Sequence, residues 1–196
     1  MFFIVSNYIH MPSALFKGGY AIRDQNQIHF LTLTVCGWID LFTRRVYKDI
    51  LIDALKFAQQ NKGLKVNGFV IMSNHLHLLA RTVEGSRLSD FLRDFKKFTS
   101  KEMIKVIQSD AESRRLWMLH QFKYYASRSS RTDEYQIWTN NNHPEECFDS
   151  KFIDCKLDYI HDNPVKEGTV RKPEDYLYSS ASNYVCNRGI IDVEII

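Results

Sequence analysis

Two histidines separated by one residue are the first candidates for chemistry in this sequence. His75 and His77 lie in the stretch SNHLHLLA, and residues two apart in a β-strand project from the same face of the sheet. Two imidazoles on one face can reach a common metal ion. The same pattern is also typical of half-buried histidines that only pack a sheet, so both interpretations stay open at this point.

A second candidate group lies in the stretch KLDYIHDNPVK. Tyr159 and Asn163 are four residues apart and therefore share one face of a predicted helix. Tyr159 is a candidate nucleophile and the Asn163 amide oxygen a candidate third metal ligand. A phenol with a pKa near 10 reacts poorly at neutral pH and needs a nearby cation or base. Lys156, one turn earlier, could contact a phosphate or lower the pKa of the phenol. Alternatively, the Tyr159 ring only packs at the boundary of the sheet.

Hydrophobic periodicity predicts the elements that position these residues. Alternating apolar or β-branched residues predict strands, and apolar residues spaced three and four apart predict helices. The predicted strands are His29–Val35, Val66–Met72, Leu76–Ala80 and Tyr135–Trp138, and the predicted helices are Val46–Gln60, Leu88–Gln108, Leu116–Tyr125 (a helix or a helix-to-strand connection) and Ser150–Asp162. We expect Ser150 to be the N-cap of the last helix and Pro164 to end it.

The order of these elements predicts an α+β fold. Without the segment around residues 108–135, it is β-α-β-β-α-β-α, the ferredoxin-like split βαβ arrangement. That arrangement is an antiparallel sheet with helices on one face, here with an additional C-terminal catalytic helix. We expect one domain over residues 27–184, an N-terminal extension over residues 1–26 and a C-terminal tail over residues 185–196.

Length and composition exclude several classes of protein. A chain of 196 residues with 44% hydrophobic residues can fold as one globular domain and is neither disordered nor collagen-like. Its 4 cysteines form no CxxC pair, which favours free thiols in a reducing cytoplasm. No run approaches ~20 apolar residues, so we expect no membrane-spanning helix.

The small net charge of +3 conceals an uneven distribution. Residues 87–131 carry a net charge of +6, whereas the rest of the chain carries −3. Basic residues recur every fourth position in the predicted helix over residues 88–108, which places them on one stripe: Arg93, Lys97, Lys101 and Lys105. This basic stripe is either a solvated helix face or a surface for a phosphate backbone. Lys123, among several aromatic residues, is a further candidate for contacting nucleic acid.

Together with the later stretch PEDYLYSS, the two stretches that contain the candidate residues resemble the REP-associated tyrosine transposases, a group of single-tyrosine HUH endonucleases. In that family a strand motif pNHxH is followed by YIxxNPVxxG and then by PxDYxxSS. The corresponding stretches here are SNHLH (73–77), YIHDNPVKEG (159–168) and PEDYLYSS (173–180). Ser73 replaces the proline that many relatives have. The resemblance covers most of the chain, from residue 29 to residue 184.

The resemblance implies a transposase-like function in DNA transposition. It makes His75, His77 and Asn163 ligands of Mg²⁺ or Mn²⁺, and Tyr159 a nucleophile that forms a 5′-phosphotyrosine with single-stranded or hairpin DNA. The resemblance is also compatible with a homodimer. The alternatives are a nucleic-acid-binding protein on the same fold that does not cleave, and a small metal-dependent hydrolase in which Tyr159 is structural.

Overall fold

The sheet positions the candidate residues, and its topology is that of the predicted fold. The computed structural model describes residues 22–109, 112–129 and 134–196. Its strands and helices are β1 His29–Thr34, α1 Arg45–Asn61, β2 Leu64–Ile71, β3 His75–Thr82, α2 Leu88–Gln108, α3 Arg115–Ser127, β4 Glu145–Glu146, α4 Ser150–Lys166 and α5 Ala181–Cys186. The spatial order of the strands is β2-β3-β1-β4, and every neighbouring pair is antiparallel. The predicted ferredoxin-like α+β fold is confirmed.

The two faces of the sheet are covered by different helices. On β1, Leu31 and Leu33 are fully buried and point to the face opposite to that of Phe30 and Thr32. The helices α1 and α2 pack against each other, and α1 packs on β2. The helix α4 contacts β2 and β3 from the other side, where its Leu157 approaches Gly68. Thus α1 and α2 form one layer, and α4 lies on the face that carries the candidate histidines.

The prediction of the fourth strand is wrong. Within residues 135–138 only Trp138 forms a bridge, to Val35, and the strand that pairs with β1 is instead Glu145–Glu146. The segment is apolar because Ile137 and Trp138 are buried in the core, where Trp138 Nε1 donates to Thr99 Oγ1 at 3.0 Å. The true edge strand carries two charged residues, a pattern that discourages pairing with other chains and has no hydrophobic signal.

The last helix begins at Ser150 as predicted, but its predicted N-cap and its predicted end are wrong. The N-cap is Asp149, whose Oδ1 accepts a hydrogen bond from Phe152 N at 2.8 Å, while Ser150 already lies within the helix. The helix continues past Pro164 to Lys166. It ends before Gly168, whose φ of +81° is the left-handed conformation that commonly follows a helix C-terminus. Pro164 lies in the last turn with its side chain buried, and it has no N–H to donate to the carbonyl of Ile160, so the helix lacks one hydrogen bond there.

The chain after α4 returns to the free edge of β2. Ile71 N donates to Tyr178 O and Ser180 N donates to Phe69 O, each at 2.9 Å, so residues 178–180 pair with this edge. The C-terminal residues continue along it, since Glu194 N donates to Val66 O at 2.8 Å. The predicted tail is therefore packed on the sheet.

Three further sequence predictions concern the extension and the inserted segment, the cysteines, and membrane-spanning helices. Of the predicted extension over residues 1–26, only residues 22–26 are described, and residues 110–111 and 130–133 of the segment around 108–135 also lie outside the described residues. The four cysteines are free thiols, as predicted. In the described ranges, no helix is long and apolar enough to cross a membrane.

Candidate active site

The sheet brings the two histidines together. His75 and His77 lie on the same face of β3, with ring centroids 4.6 Å apart and ring planes inclined at 72°. On the neighbouring strand β1, Phe30 stacks on the His77 ring at 5.2 Å. The strand geometry predicted from the sequence is thus present.

Hydrogen bonds fix the orientation of both imidazole rings. His77 Nδ1 lies 3.0 Å from Thr32 Oγ1, and His75 Nδ1 lies 2.8 Å from Asn74 Oδ1. An amide oxygen can only accept a hydrogen bond, so His75 Nδ1 is the protonated nitrogen and its Nε2 keeps a lone pair. Asn74 is itself held by Asp40, whose Oδ1 accepts from Asn74 Nδ2 at 3.0 Å.

Burial keeps both imidazoles neutral. It lowers the pKa of His75 to about 4 and lowers the pKa of His77 well below its ordinary value. The neighbouring His75 and Lys156 lower the pKa of His77 further. His77 is only 5% exposed, and its buried Nε2 has no hydrogen-bond partner in the part of the chain that the structure describes. A neutral imidazole is the form that binds a metal ion, through its unprotonated nitrogen. For His77 this nitrogen is Nε2 in the tautomer whose Nδ1 donates to Thr32 Oγ1.

The helix α4 carries Tyr159 to the same place. The Tyr159 ring centroid lies 5.2 Å from that of His77 and 6.0 Å from that of Phe30, and 42% of the residue is exposed. This close packing of α4 depends on Gly68, because a Cβ there would lie 2.8 Å from Leu157 Cδ1. A partly exposed phenol therefore adjoins the histidine pair.

The structure does not test the predicted role of Asn163 as a metal ligand, so this role stays a prediction. The residue lies one helical turn after Tyr159, and its Nδ2 donates to the Tyr159 carbonyl at 2.6 Å. Its amide nitrogen is thus bonded along its own helix, and its oxygen is the atom that would serve as a ligand. The described residues contain no group of three or more His, Cys, Asp and Glu side chains suited to hold a metal ion. The candidate ligands are therefore two imidazole nitrogens and one amide oxygen. The buried His77 Nε2, which has no hydrogen-bond partner among the described residues, is consistent with a role as a metal ligand.

Comparison with known proteins identifies the family of this chain. A model of the IS200-like transposase family matches residues 25–140, more than half of the chain. The chain belongs to this family. The matched range contains His75 and His77 and ends before Tyr159 and Asn163.

Solved structures support the fold of this IS200-like transposase family member. It is similar to a REP-associated tyrosine transposase bound to a REP hairpin, with 20% sequence identity and a TM-score of 0.59. The alignment covers 88% of this chain and 90% of that one. A search of curated protein sequences found no match.

Two lysines of α4 lie around the candidate site of this transposase family member. Lys156 Nζ lies 2.9 Å from Glu145 Oε1 and 4.4 Å from the centre of the Phe30 ring, so it ties α4 to the edge strand. Lys166, which the sequence interpretation missed, lies with its Nζ 5.9 Å from the centre of the Tyr159 ring. Its spacing of seven residues from Tyr159, two helical turns, was the available signal.

The predicted basic stripe is exposed but lies on the other side of the sheet. Its four residues follow the solvent face of α2, in the layer opposite to the histidine pair. Arg93 is paired with Asp90 and Asp94, and Lys105 with Glu102. Lys97 and Lys101 have no ion pair among the residues that the structure describes. Lys123 is exposed on α3.

The structure adds one aromatic residue to the site. Trp38, in the turn Cys36–Trp38 after β1, is 66% exposed, and its ring centroid lies 6.3 Å from that of His75. Its position depends on the course of the chain after β1, and nothing in the sequence near His75 indicates it.

Proposed function

We propose that this protein cleaves and rejoins single-stranded or hairpin DNA through a 5′-phosphotyrosine intermediate, using Mg²⁺ or Mn²⁺. Membership of the IS200-like transposase family establishes only a transposase-like, DNA-related function. The observation that carries the finer proposal is the contact between Tyr159 and His77, whose buried Nε2 has no partner in the described part of the chain. The similar solved structure, a tyrosine transposase bound to a REP hairpin, supports the choice of substrate.

Tyr159 is the nucleophile in this proposal. Its Oη attacks the scissile phosphorus, a P–O bond to the Tyr159 oxygen forms, and the bond from phosphorus to the 3′ oxygen of the preceding nucleotide breaks. The phenolic proton passes to solvent, which the half-exposed side chain reaches, and the leaving oxygen takes up a proton to become a 3′-hydroxyl. The phosphotyrosine retains the energy of the phosphodiester, so the 3′-hydroxyl of another strand can attack it and restore Tyr159.

The residues around Tyr159 have distinct roles in this proposal. His75, His77 and Asn163 would hold the divalent ion, which when bound supplies Lewis-acid neutralisation of the phosphate charge. Lys166, whose Nζ lies 5.9 Å from the centre of the Tyr159 ring, would contact the phosphate of the bound strand. Because Tyr159 lies beside His77 of the same chain, the proposed site needs no residue from a second copy.

Two alternatives from other classes are less well supported. A protein that only binds nucleic acid has no use for a buried imidazole nitrogen without a partner, a feature that costs ~1–3 kcal/mol of folding free energy. A hydrolase that uses the histidine pair alone does not account for the position of Tyr159 against His77.

Formation of a covalent adduct tests the proposal. The full chain is incubated with labelled single-stranded hairpin oligonucleotides and Mg²⁺ or Mn²⁺, and a denaturing gel reports protein-linked label. We expect an adduct in the wild type and in the control Tyr135→Phe, which removes the hydroxyl of a half-buried tyrosine elsewhere, and none in Tyr159→Phe. An adduct in Tyr159→Phe would refute the proposed nucleophile. Cleavage without an adduct would favour the hydrolase, and binding without cleavage the non-cleaving protein.

A further inference from the structure

The turn after β1 holds an exposed tryptophan in a fixed orientation beside the histidine pair. Trp38 and the preceding Gly37 both have positive φ, +55° and +66°. A residue other than glycine rarely adopts this conformation, and a bulky one does so only when its surroundings impose it. Here Trp38 N donates to Val35 O at 3.1 Å, and Trp38 O accepts from Asn74 Nδ2 at 3.3 Å. The backbone is therefore held so that the indole faces solvent.

A groove opens behind this turn, between it and α3. Its volume is about 400 Å³, within the range of small-molecule pockets. Tyr124 and Tyr125 form one wall, with ring centroids 5.4 Å apart. Gly37 lines it as well and packs directly against Tyr125, since a Cβ there would lie 2.5 Å from the Tyr125 hydroxyl, and its φ of +66° also favours glycine. The chain thus keeps an aromatic groove next to the exposed Trp38.

The chemistry of the groove matches an unpaired nucleotide. The guanidinium of Arg128 lies over the exposed Tyr124 ring, 5.3 Å from its centre, so an aromatic face and a cation are presented together. Gln136 and Asn140 also line the groove, where Gln136 Nε2 donates to Asn140 Oδ1 at 3.3 Å. The amide nitrogen of the exposed Asn140 can meet the polar edge of a base. None of the described lining residues carries a carboxylate, which disfavours a cationic peptide as the occupant.

We propose that Trp38 and this groove bind unpaired bases of the DNA strand that lies across the histidine pair. One base stacks on the Trp38 indole beside His75, and its neighbour enters the groove between Gly37 and Tyr124. This rests on the proposed function, since it places the strand by the phosphate that Tyr159 attacks. It also explains why the binding surface is aromatic, because stacking on aromatic rings holds single strands with little dependence on sequence.

Tryptophan fluorescence can test the contact directly, since the chain has 3 tryptophans. A mixed-sequence single-stranded DNA is titrated into the full-length protein in EDTA, so that binding is measured apart from cleavage. We expect quenching in the wild type and in Trp117→Phe, in which the exposed tryptophan of α3 is replaced, and loss of most quenching in Trp38→Phe. Equal quenching in Trp38→Phe and the wild type, or equal quenching by the same sequence as a duplex, would overturn the proposal.

Affinity provides a second, independent readout. By fluorescence anisotropy with labelled single-stranded DNA, Trp38→Ala should raise Kd by about 5-fold or more, the change that loss of a ~1 kcal/mol stacking contact produces. Trp38→Phe should restore part of the affinity. The control Phe57→Ala removes an aromatic ring on α1 that is also exposed, at 56%, and should leave Kd unchanged. Thermal unfolding should be similar in all three variants, because both side chains are exposed.

The two proposals can fail separately. If the Tyr159 adduct forms but Trp38→Ala binds DNA as the wild type does, the base-binding surface is refuted and the proposed function stands. If Trp38→Ala weakens binding but no adduct forms under any condition, the base-binding surface stands and the chemistry is refuted. If the protein binds no single-stranded DNA, both are refuted.

Discussion

The two sheet histidines should make the protein less stable as the pH falls below neutrality. Burial lowers the pKa of His75 to about 4, whereas histidine in an unfolded chain has a pKa of about 6.5. Between these values the unfolded chain binds a proton that the folded chain does not, so protonation favours unfolding. The stabilisation is therefore complete above about pH 6.5 and is lost as the pH falls towards 4. His77, whose pKa is also lowered, acts in the same direction.

The size of the effect follows from the two pKa values. Over the whole interval from about 6.5 to about 4, the contribution of His75 is about 3 kcal/mol, at ~1.4 kcal/mol for each pH unit. Between pH 7 and pH 5 the same linkage gives about 2 kcal/mol, because little of the change occurs above the unfolded pKa. This is a large fraction of the ~5–15 kcal/mol that stabilises a typical domain.

Urea unfolding followed by circular dichroism at pH 7 and pH 5 measures this loss without metal present. We expect the free energy of unfolding of the wild type to fall by about 2 kcal/mol more than that of His75→Asn over this range. The control His120→Asn replaces an exposed histidine of α3 and should behave as the wild type does. An equal fall in His75→Asn and the wild type would refute the conclusion that this imidazole is held neutral by burial.

Three other predictions concern the helix that carries Tyr159 and the proposed metal ligands. Asp149→Ala should cost about 1 kcal/mol of stability in urea unfolding, whereas Ser150→Ala should cost little; the reverse order would contradict the observed cap. Gly68→Ala should destabilise the protein by ~1–3 kcal/mol, and combining it with Leu157→Ala should cost less than the sum of the two, since the shorter side chain removes the clash. If the two changes in the free energy of unfolding were simply additive, the loss of stability in Gly68→Ala would not come from contact with Leu157. By calorimetry, Mn²⁺ affinity should change little between pH 7 and pH 6, because both imidazoles stay neutral; two ordinary histidines would lose about tenfold through protonation, and such a loss would argue against a buried pair.

Elements with strong hydrophobic periodicity could be predicted from the sequence. The amphipathic helix α2 has the predicted bounds, and the hairpin of β2 and β3 follows from two apolar runs around Ser73 and Asn74. The same local rule placed His75 and His77 on one face, because side-chain alternation in a strand needs no knowledge of the rest of the fold.

What the sequence could not reveal depends on tertiary contacts. The strand β4 has no apolar pattern, since its Glu145 is fixed by the ion pair with Lys156 and not by burial. The segment of Trp138 was predicted to be a strand because it is apolar, but Trp138 is apolar because it packs in the core against Phe42. Trp38 reaches His75 through the turn after β1 and through hydrogen bonding to Asn74, and no spacing in the sequence encodes that proximity.

The third motif of the sequence, PEDYLYSS, is explained by the position of α4 and not by chemistry. Ser180 Oγ accepts from Phe69 N at 2.9 Å and lies 2.9 Å from His161 Nε2. His161 is on α4, two residues after Tyr159, so this one hydroxyl links the helix that carries Tyr159 to the edge of β2. The strand motif supplies two imidazoles, the helix motif supplies the phenol, and the third motif ties the helix to the sheet. If the proposed phosphoryl transfer takes place here, this link holds the proposed nucleophile in register with the histidine pair, which explains why the three motifs occur together.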